Sequence, residues 1–183
     1  IVKLDIRLKS ILLKYWANQS IEKTDIDEIR SLYETSNYLG ERRKGLLTLA
    51  HICILCGDYE LAKELLLEDE ELKSIFTTNY LDMFRNMILG ILYRDTSILT
   101  NILKEVKNKG NYEIEFHTYN VLGDICFDNS KYYKAVNYYL TALDLLYRLA
   151  RKIPDKGLQV SFVNKNRASV ILNKLRKVIF VVK

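Results

Sequence analysis

A pattern of small and large apolar residues between Glu115 and Leu149 constrains the fold of this chain more than any other feature. In chain order the pattern reads Tyr119-x-x-Leu122-Gly123-x-x-Cys126, then Ala135-x-x-x-Tyr139-x-x-Ala142. Gly123 and Ala135 allow two antiparallel helices to cross closely, while the larger side chains fill the seam around the crossing. The stretch therefore predicts a helical hairpin. A single hairpin cannot bury its apolar face alone, so we expect neighbouring hairpins.

The pattern resembles one tetratricopeptide repeat (TPR), a helical hairpin of about 34 residues. It departs from that family at Cys126, where an aromatic residue is usual, and at Tyr147, where a proline is usual. The resemblance implies an all-α fold, a TPR-like right-handed superhelix of antiparallel helical hairpins. We expect this superhelix to end in a C-terminal helix, because apolar residues recur at helical spacing between Ala168 and Val182.

Two further copies of the pattern precede the first. The earlier copy has Ala50 in the role of Gly123, a turn at Gly57-Asp58-Tyr59 and then Ala62. The corresponding turn of the best-matched copy is Ser130-Lys131-Tyr132. The middle copy carries Leu89-Gly90-x-x-Tyr93, but Ile102 stands where the small alanine belongs. The sequence therefore predicts that the middle hairpin opens or shifts.

These assignments divide the chain into five segments of one structural domain. Residues 1–40 form a degenerate helical hairpin or cap, and residues 41–76 form a TPR-like repeat. Residues 77–112 form a degenerate repeat, and residues 113–152 form the best-matched repeat. Residues 153–183 form a basic linker and helix.

Composition and charge describe an ordinary globular chain with a basic end. Of 183 residues 49% are hydrophobic and 28% are charged, while seven glycines and one proline leave little turn chemistry for a many-stranded fold. The net charge is +5. From Arg148 to Lys183 there are ten basic residues and one acidic residue, which gives +9, so the rest of the chain carries −4.

Membrane and secretory signals are absent from the sequence. No apolar run approaches the roughly 18 residues of a membrane span, and the start Ile1-Val2-Lys3 shows no cleavage pattern. Three cysteines, an odd number, indicate reduced thiols and a cytoplasmic location. Because the chain begins without methionine, we expect it to be an excised piece of a larger protein.

Motifs for catalysis and metal binding are weak. His51-x-Cys53-x-x-Cys56 has metal-ligand residue types, but Cys53 occupies the same packing position as Cys126. The acidic run 68–71 is interpreted as a solvated helix face or linker. No phosphate-binding glycine loop or nucleophile motif is present. We therefore expect no catalytic site, no metal and no cofactor in this segment, although the full-length protein could carry a catalytic domain.

The TPR resemblance implies a concave groove, lined by the first helix of each hairpin, in which a partner binds. The projected groove residues are Lys44, Leu47, His51, Ile54, Leu55, Phe84, Met87, Ile91, Arg94, His117, Asn120, Asp124, Phe127 and Asp128. TPR members that clamp a terminal carboxylate carry basic and amide groups there, so Asp124 and Asp128 argue against that mode. The apolar remainder suits an amphipathic helix or an apolar peptide. Alternatively, a tight superhelix or the C-terminal helix of this chain fills the groove.

Five basic residues of the tail offer a different partner. They are Lys165, Arg167, Lys174, Arg176 and Lys177. Such a cluster can contact the phosphates of nucleic acid, but Phe162 and Phe180 are its only aromatic neighbours, which argues against a stacking surface. The alternative is that the basic tail rests on the mildly acidic repeat body.

The stretch from Ile153 to Leu175 resembles the segment after the last TPR of large bacterial signalling proteins. Those proteins combine an ATPase-like sensor with an output domain such as a diguanylate cyclase, histidine kinase or transcription activator. We therefore expect a protein–protein interaction or signal-relay scaffold. A nucleic-acid-associated regulator is the alternative. The partner is a protein, a peptide or another domain of the same chain, no membrane is involved, and a homodimer would form through the C-terminal helix.

Overall fold

The computed structural model describes residues 6, 7, 10, 11, 22–107, 109–164 and 168–182, and in this part of the chain every regular element is an α-helix. The prediction of an all-α fold is confirmed. No helix in the described part is long and apolar enough to cross a membrane. The helices are α1 (Lys23–Glu34), α2 (Leu39–Cys56), α3 (Tyr59–Ile75), α4 (Asn79–Leu92), α5 (Thr96–Val106), α6 (Tyr112–Asp128), α7 (Tyr132–Ala150), α8 (Lys156–Asn164) and α9 (Ala168–Val182).

The chain divides into two compact units, Ile1–Ile88 and Leu89–Lys183. In the first unit α2 packs against both α1 and α3. In the second unit α6 packs against α5 and α7, and α7 also packs against α8 and α9. Each unit thus contains a hairpin of consecutive long helices, α2–α3 in the first and α6–α7 in the second.

One turn geometry occurs three times along the chain. Gly57, Arg94 and Ser130 each have a left-handed backbone, with φ of 84°, 53° and 57°. In each case the next residue donates its N–H to the carbonyl five positions earlier, at 2.9, 3.0 and 2.8 Å. This bond satisfies a carbonyl that the end of the helix would leave unpaired. The turns predicted after α2 and α6 are confirmed, and the turn after α4 is their counterpart.

These turns correct the alignment of the middle repeat. Ala62 and Ala135 each follow a left-handed residue by five positions, and the residue five positions after Arg94 is Leu99, not Ile102. By the same rule Met87, not Gly90, corresponds to Ala50 and Gly123. The sequence-based alignment of this repeat was therefore wrong by three residues.

The error has a packing reason. Gly90 stands where the other copies have Cys53 and Cys126, and a Cβ added to Gly90 would lie 2.8 Å from the side chain of Leu99. The small and large residues have exchanged helices: glycine in the first helix makes room for leucine in the second. A pattern that expects the small residue at the position of Gly123 therefore aligns Gly90 with it, although Gly90 corresponds to Cys126.

The best-matched hairpin packs as its residues predict. A Cβ added to Gly123 would lie 2.4 Å from the ring of Tyr139, so this position admits only glycine without movement of the ring. Ala135 and Ala142 are fully buried on the facing helix. The predicted close crossing at Gly123 is confirmed.

The first unit contains a buried ion pair that joins α2 to α3. The Nε and Nη2 atoms of Arg43 donate to the two carboxylate oxygens of Asp69 at 2.7 and 3.1 Å, and both side chains are fully buried. Arg43 also donates to the carbonyl of Phe76 at 3.0 Å. The Nε of Arg85, on α4, lies 3.0 Å from Asp69. The solvated interpretation of the acidic run 68–71 is therefore wrong at Asp69, because two guanidinium groups neutralise its charge in the core.

The cysteines of α2 differ in their surroundings. Cys53 is buried, as the packing interpretation predicts, whereas Cys56 is exposed. Burial is the main cause that raises the pKa of the Cys53 thiol to about 12, and the nearby Asp58 carboxylate adds to the effect. Cys53 is therefore a protonated core residue at neutral pH.

Candidate protein-interaction surface

The C-terminal helix α9 lies on the α6–α7 hairpin. Ala168, Ile171, Leu175 and Val178 recur along one face of α9 and are buried in the core cluster of that hairpin. The cluster contributed by the hairpin includes Phe116, Cys126, Ala135, Tyr139, Ala142, Leu143 and Leu146. The buried residues of α9 follow the three- and four-residue spacing of a helix that buries one side.

A lysine of α9 forms the polar part of this contact. The Nζ of Lys174 donates to the carboxylate of Asp124 at 2.8 Å and to the side-chain oxygen of Asn120 at 3.1 Å. It also lies 5.7 Å from the ring centre of Tyr139, within the range of a cation–π contact. One ammonium group thus contacts both helices of the hairpin.

Tyr139 orients the carboxylate that receives this lysine. Its hydroxyl donates to Oδ1 of Asp124 at 2.7 Å, while Lys174 contacts Oδ2. Burial raises the pKa of Tyr139 well above its usual value, and the negative charge of Asp124 raises it further. The phenol therefore stays protonated and keeps donating. We call the surface formed by Phe116, Asn120, Asp124, Tyr139 and Leu143 the docking face.

The predicted groove residues of the second unit are either half-buried or exposed. His117, Asn120, Asp124 and Phe127 lie half-buried on α6, and the ring of Phe127 packs edge-on against Tyr132 with centroids 5.7 Å apart. Ile91 is half-buried and Arg94 is exposed. Arg94 pairs with Asp128 at 2.5 Å. Asn120 and Asp124 are the two groove positions that contact α9 through Lys174.

The predicted groove residues of the first unit are mostly core residues. Lys44 is exposed and Leu55 half-buried, but the side chains of Leu47, His51, Ile54, Phe84 and Met87 are buried. The rings of His51 and Phe84 meet edge-on with centroids 5.9 Å apart. These five side chains present no open surface to a partner in this structure.

Of the three named tail residues that the structure describes, one contacts the repeat body. Lys165 and Arg167 lie outside the described residues, and Arg176 and Lys177 are exposed. Lys174 is paired with Asp124. Of the two interpretations of the tail, contact with the acidic body is confirmed at this lysine. Sequence reasoning named both residues but did not pair them, because 50 positions separate them in the chain.

Within the described residues no group of three or more histidine, cysteine, aspartate or glutamate side chains could hold a metal ion. Cys56 is exposed and Cys53 buried on the same helix. On the docking face, apolar, charged and hydrogen-bonding groups converge on another helix of the chain.

Comparison with known proteins adds no further assignment. No protein-family model, curated protein or solved structure matches the chain.

Proposed function

We propose that this chain is a TPR-type protein–protein interaction scaffold that binds an amphipathic helix. The observation that carries the proposal is α9 on the docking face, where an apolar stripe and one lysine hold a helix against a hairpin. A surface that binds a helix of its own chain in this way has the chemistry to bind a similar helix of a partner.

The three repeated turns support the TPR assignment. Their left-handed residues are at positions 57, 94 and 130, so the intervals are 37 and 36 residues. These intervals are close to the roughly 34 residues of a tetratricopeptide repeat, with a few residues to spare. Under the proposal the hairpins belong to one right-handed superhelix.

The contacts of α9 define the partner helix. It carries apolar residues at the spacing of Ile171, Leu175 and Val178, and a lysine one position before the second of them. That lysine finds the carboxylate of Asp124, which Tyr139 already orients. A peptide whose C-terminal carboxylate is the anchor would meet the negative charge of Asp124 instead, so this mode is disfavoured.

In the setting of a larger cytosolic signalling protein, the docking face would relay a signal. An incoming helix that replaces α9 would free α9 and the segment attached to it. The free energy available for this step is the difference in affinity between the two helices, since a ligand shifts an equilibrium only by its differential binding.

A synthetic peptide of residues 168–182 tests the proposal directly. The full chain carrying Ile171→Asp and Leu175→Asp should release its own α9, and the labelled peptide should then bind, as measured by fluorescence anisotropy. The unaltered chain should bind the peptide more weakly, because its tethered α9 has a high effective concentration. No binding to the released chain, with helical content retained by circular dichroism, would refute the proposal.

A charge exchange provides the matched control. The peptide with Lys174→Glu should bind the released chain at least about tenfold more weakly, which corresponds to about 1.4 kcal/mol. Adding Asp124→Lys to the released chain should restore part of that affinity for the altered peptide. Equal binding of both peptides would show that the polar contact does not select the helix.

A further inference from the structure

Helix α9 carries a row of exposed residues on the side that does not face the α6–α7 hairpin. Leu172, Arg176 and Phe180 follow one another at four-residue spacing, and all three are exposed, Phe180 to 79%. Residues at this spacing form one continuous ridge along a helix. The ridge thus has a basic side chain with an apolar side chain one turn before it and one turn after it. We call these three residues the basic ridge.

Helix α3 carries a row of the same form with the opposite charge. Leu67, Glu71 and Ile75 are also four residues apart, and the two apolar side chains are 72% and 68% exposed. Glu71 is exposed as well. The opposite side of α3 is the one that packs in the core, through Ala62, Leu65, Leu66 and Asp69. We call Leu67, Glu71 and Ile75 the acidic ridge.

The two ridges match when α3 of one copy and α9 of another copy run in opposite directions. If Leu67 is level with Phe180, one turn forward on α3 and one turn back on α9 bring the glutamate of one ridge level with the arginine of the other. A second turn brings Ile75 level with Leu172. Each step of four residues covers about 6 Å on both helices, so the correspondence holds along the whole row. An apolar contact therefore lies on each side of one ion pair.

The two opposed charges are available for this contact. Within the described part of the chain, the side chains of Glu71 and Arg176 form no ion pair or hydrogen bond. Lys177, next to Arg176, is also exposed and adds positive charge to this side of α9. Two copies of α9 would instead bring like charges together, because α9 contains no acidic residue. The acidic ridge is therefore a better match for α9 than a second α9.

Three other lysines near the ridges do not oppose the match. Lys73 and Lys174 are level with each other, but each is two positions from a ridge residue and so points about 200° around its helix, away from the contact. Each is also paired with a carboxylate of its own unit, at 3.7 and 2.8 Å. Lys63 pairs with Glu60 at 2.6 Å, and the position level with it lies beyond the end of α9.

We propose that the basic ridge of one copy of this chain binds the acidic ridge of a second copy, with α9 and α3 antiparallel. Because the contact joins two different surfaces, it extends from copy to copy unless two copies use both of their ridges at once. Each ridge spans about 12 Å. The contact is therefore smaller than a standard interface of about 800 Å² per partner, so the association is weak and depends on chain concentration.

Sedimentation equilibrium of charge-reversed full chains tests the proposal. The unaltered chain should associate as its concentration rises to about 0.5 mM, and Glu71→Lys or Arg176→Glu alone should weaken the association at least about tenfold. An equimolar mixture of the two variants should associate again, because each variant keeps the ridge that the other has lost. Glu105→Lys makes the same charge change at an exposed site of α5. It is the matched control and should leave association unchanged.

The mixture separates a second copy from the other occupants of the ridges. Recovery of the larger mass in the mixture requires two chains, so it cannot come from a contact within one chain or from a foreign helix. A monomer at every concentration of the unaltered chain would overturn the proposal. A mixture that stays monomeric, although both variants keep their helical content by circular dichroism, would overturn it as well, and so would an equal effect of Glu105→Lys.

Cysteine cross-linking tests the antiparallel register. Ser74 lies two turns after Leu67, and Asn173 lies two turns before Phe180, so the two exposed side chains are level with each other. In a Cys56→Ser background, which removes the exposed native thiol, oxidation of a mixture of Ser74→Cys and Asn173→Cys chains should form a mixed disulfide. Neither variant alone should link to itself. Self-linking of Asn173→Cys would show that two α9 helices pair and would overturn the proposal, as would the absence of the mixed disulfide at concentrations where the chain associates.

Discussion

Arg43 and Asp69 form a two-pronged ion pair at 2.7 and 3.1 Å, with both side chains fully buried. The pair lies near the open end of the α2–α3 hairpin and links it to the segment that leads into α4, because Arg43 also donates to the carbonyl of Phe76. Such a pair orders the structure around it, but its removal is costly because a charge remains in the core. The ion pair is thus a buried polar contact within the core of the first unit.

Asp69→Ala should lower the free energy of unfolding by about 3–5 kcal/mol, because it leaves Arg43 without its carboxylate in the core. Urea denaturation followed by circular dichroism measures the change. Glu71→Ala, in the same acidic run but exposed, should change stability by no more than about 0.5 kcal/mol. Similar costs for the two variants would show that the buried pair has no special role.

Ser130→Gly should raise the free energy of unfolding by about 1 kcal/mol. A left-handed backbone costs a serine about 1–2 kcal/mol and costs glycine nothing. Part of this gain is lost because glycine makes the unfolded chain more flexible. The φ of Ser130 is 57°. Ser169→Gly, within helix α9 and exposed, should instead lower stability by about 0.5 kcal/mol. If the two variants shift the thermal midpoint in the same direction, the turn geometry is not the cause.

Gly123→Ala should destabilise the second unit by about 1–3 kcal/mol, because the new methyl group overlaps the ring of Tyr139. The ring cannot move freely, since its hydroxyl bonds Asp124 and its face contacts Lys174. Hydrogen exchange should therefore also increase along α9. Gly157→Ala, at the start of α8, meets only the side chain of Asp155 and serves as the control, for which we expect little change.

Alkaline pH should destabilise the first unit. Burial raises the pKa values of Cys53 and Tyr33 to about 12 in the folded chain, whereas free thiols and phenols titrate near 8.5 and 10. Above about pH 9 the unfolded chain therefore releases these protons first, and the free energy of unfolding falls as the pH rises toward 12. Below pH 8 the contribution of both groups is fully present.

Cys53→Val isolates the share of the thiol. Urea denaturation of the variant between pH 8 and 10 should show a shallower loss of stability than the unaltered chain, by at most about 1.4 kcal/mol per pH unit for one group. Identical slopes for the two proteins in this range would contradict the buried, protonated thiol.

Local pattern was sufficient to predict the hairpins. The repeat pattern of small and large apolar residues indicated the helices from α2 to α7, and helical spacing of apolar residues indicated α9. The positions of Gly57 and Gly123 indicated a turn and a close crossing, because both depend on residues near each other in the chain. The pattern failed in the middle copy. In that copy Gly90 stands at the position of Cys126, and Leu99 stands at the position of Ala135. The smaller residue is therefore on the first helix and the larger one on the second, and a fixed pattern of small and large positions does not allow for such an exchange.

The candidate site was only partly predictable for a related reason. Asp124 and Lys174 were each identified, one as a groove acid and one as a tail base, but their 2.8 Å contact joins positions 50 residues apart. Charge asymmetry showed that the tail could rest on the body, and it contained no information on which side chains would meet. The buried ion pair of Arg43 and Asp69 was not predicted, because charged residues in a run are exposed in most proteins.

The sequence by itself determined the all-α architecture, the hairpin units and their turns, since these follow from backbone preference and side-chain periodicity within about forty residues. Only the tertiary structure decided which charges are buried, which glycine faces which large residue, and that α9 occupies the α6–α7 hairpin. Those outcomes depend on the shape of the space between packed helices. That space exists only after distant segments come together, so its shape cannot be predicted from residues that are close in the sequence.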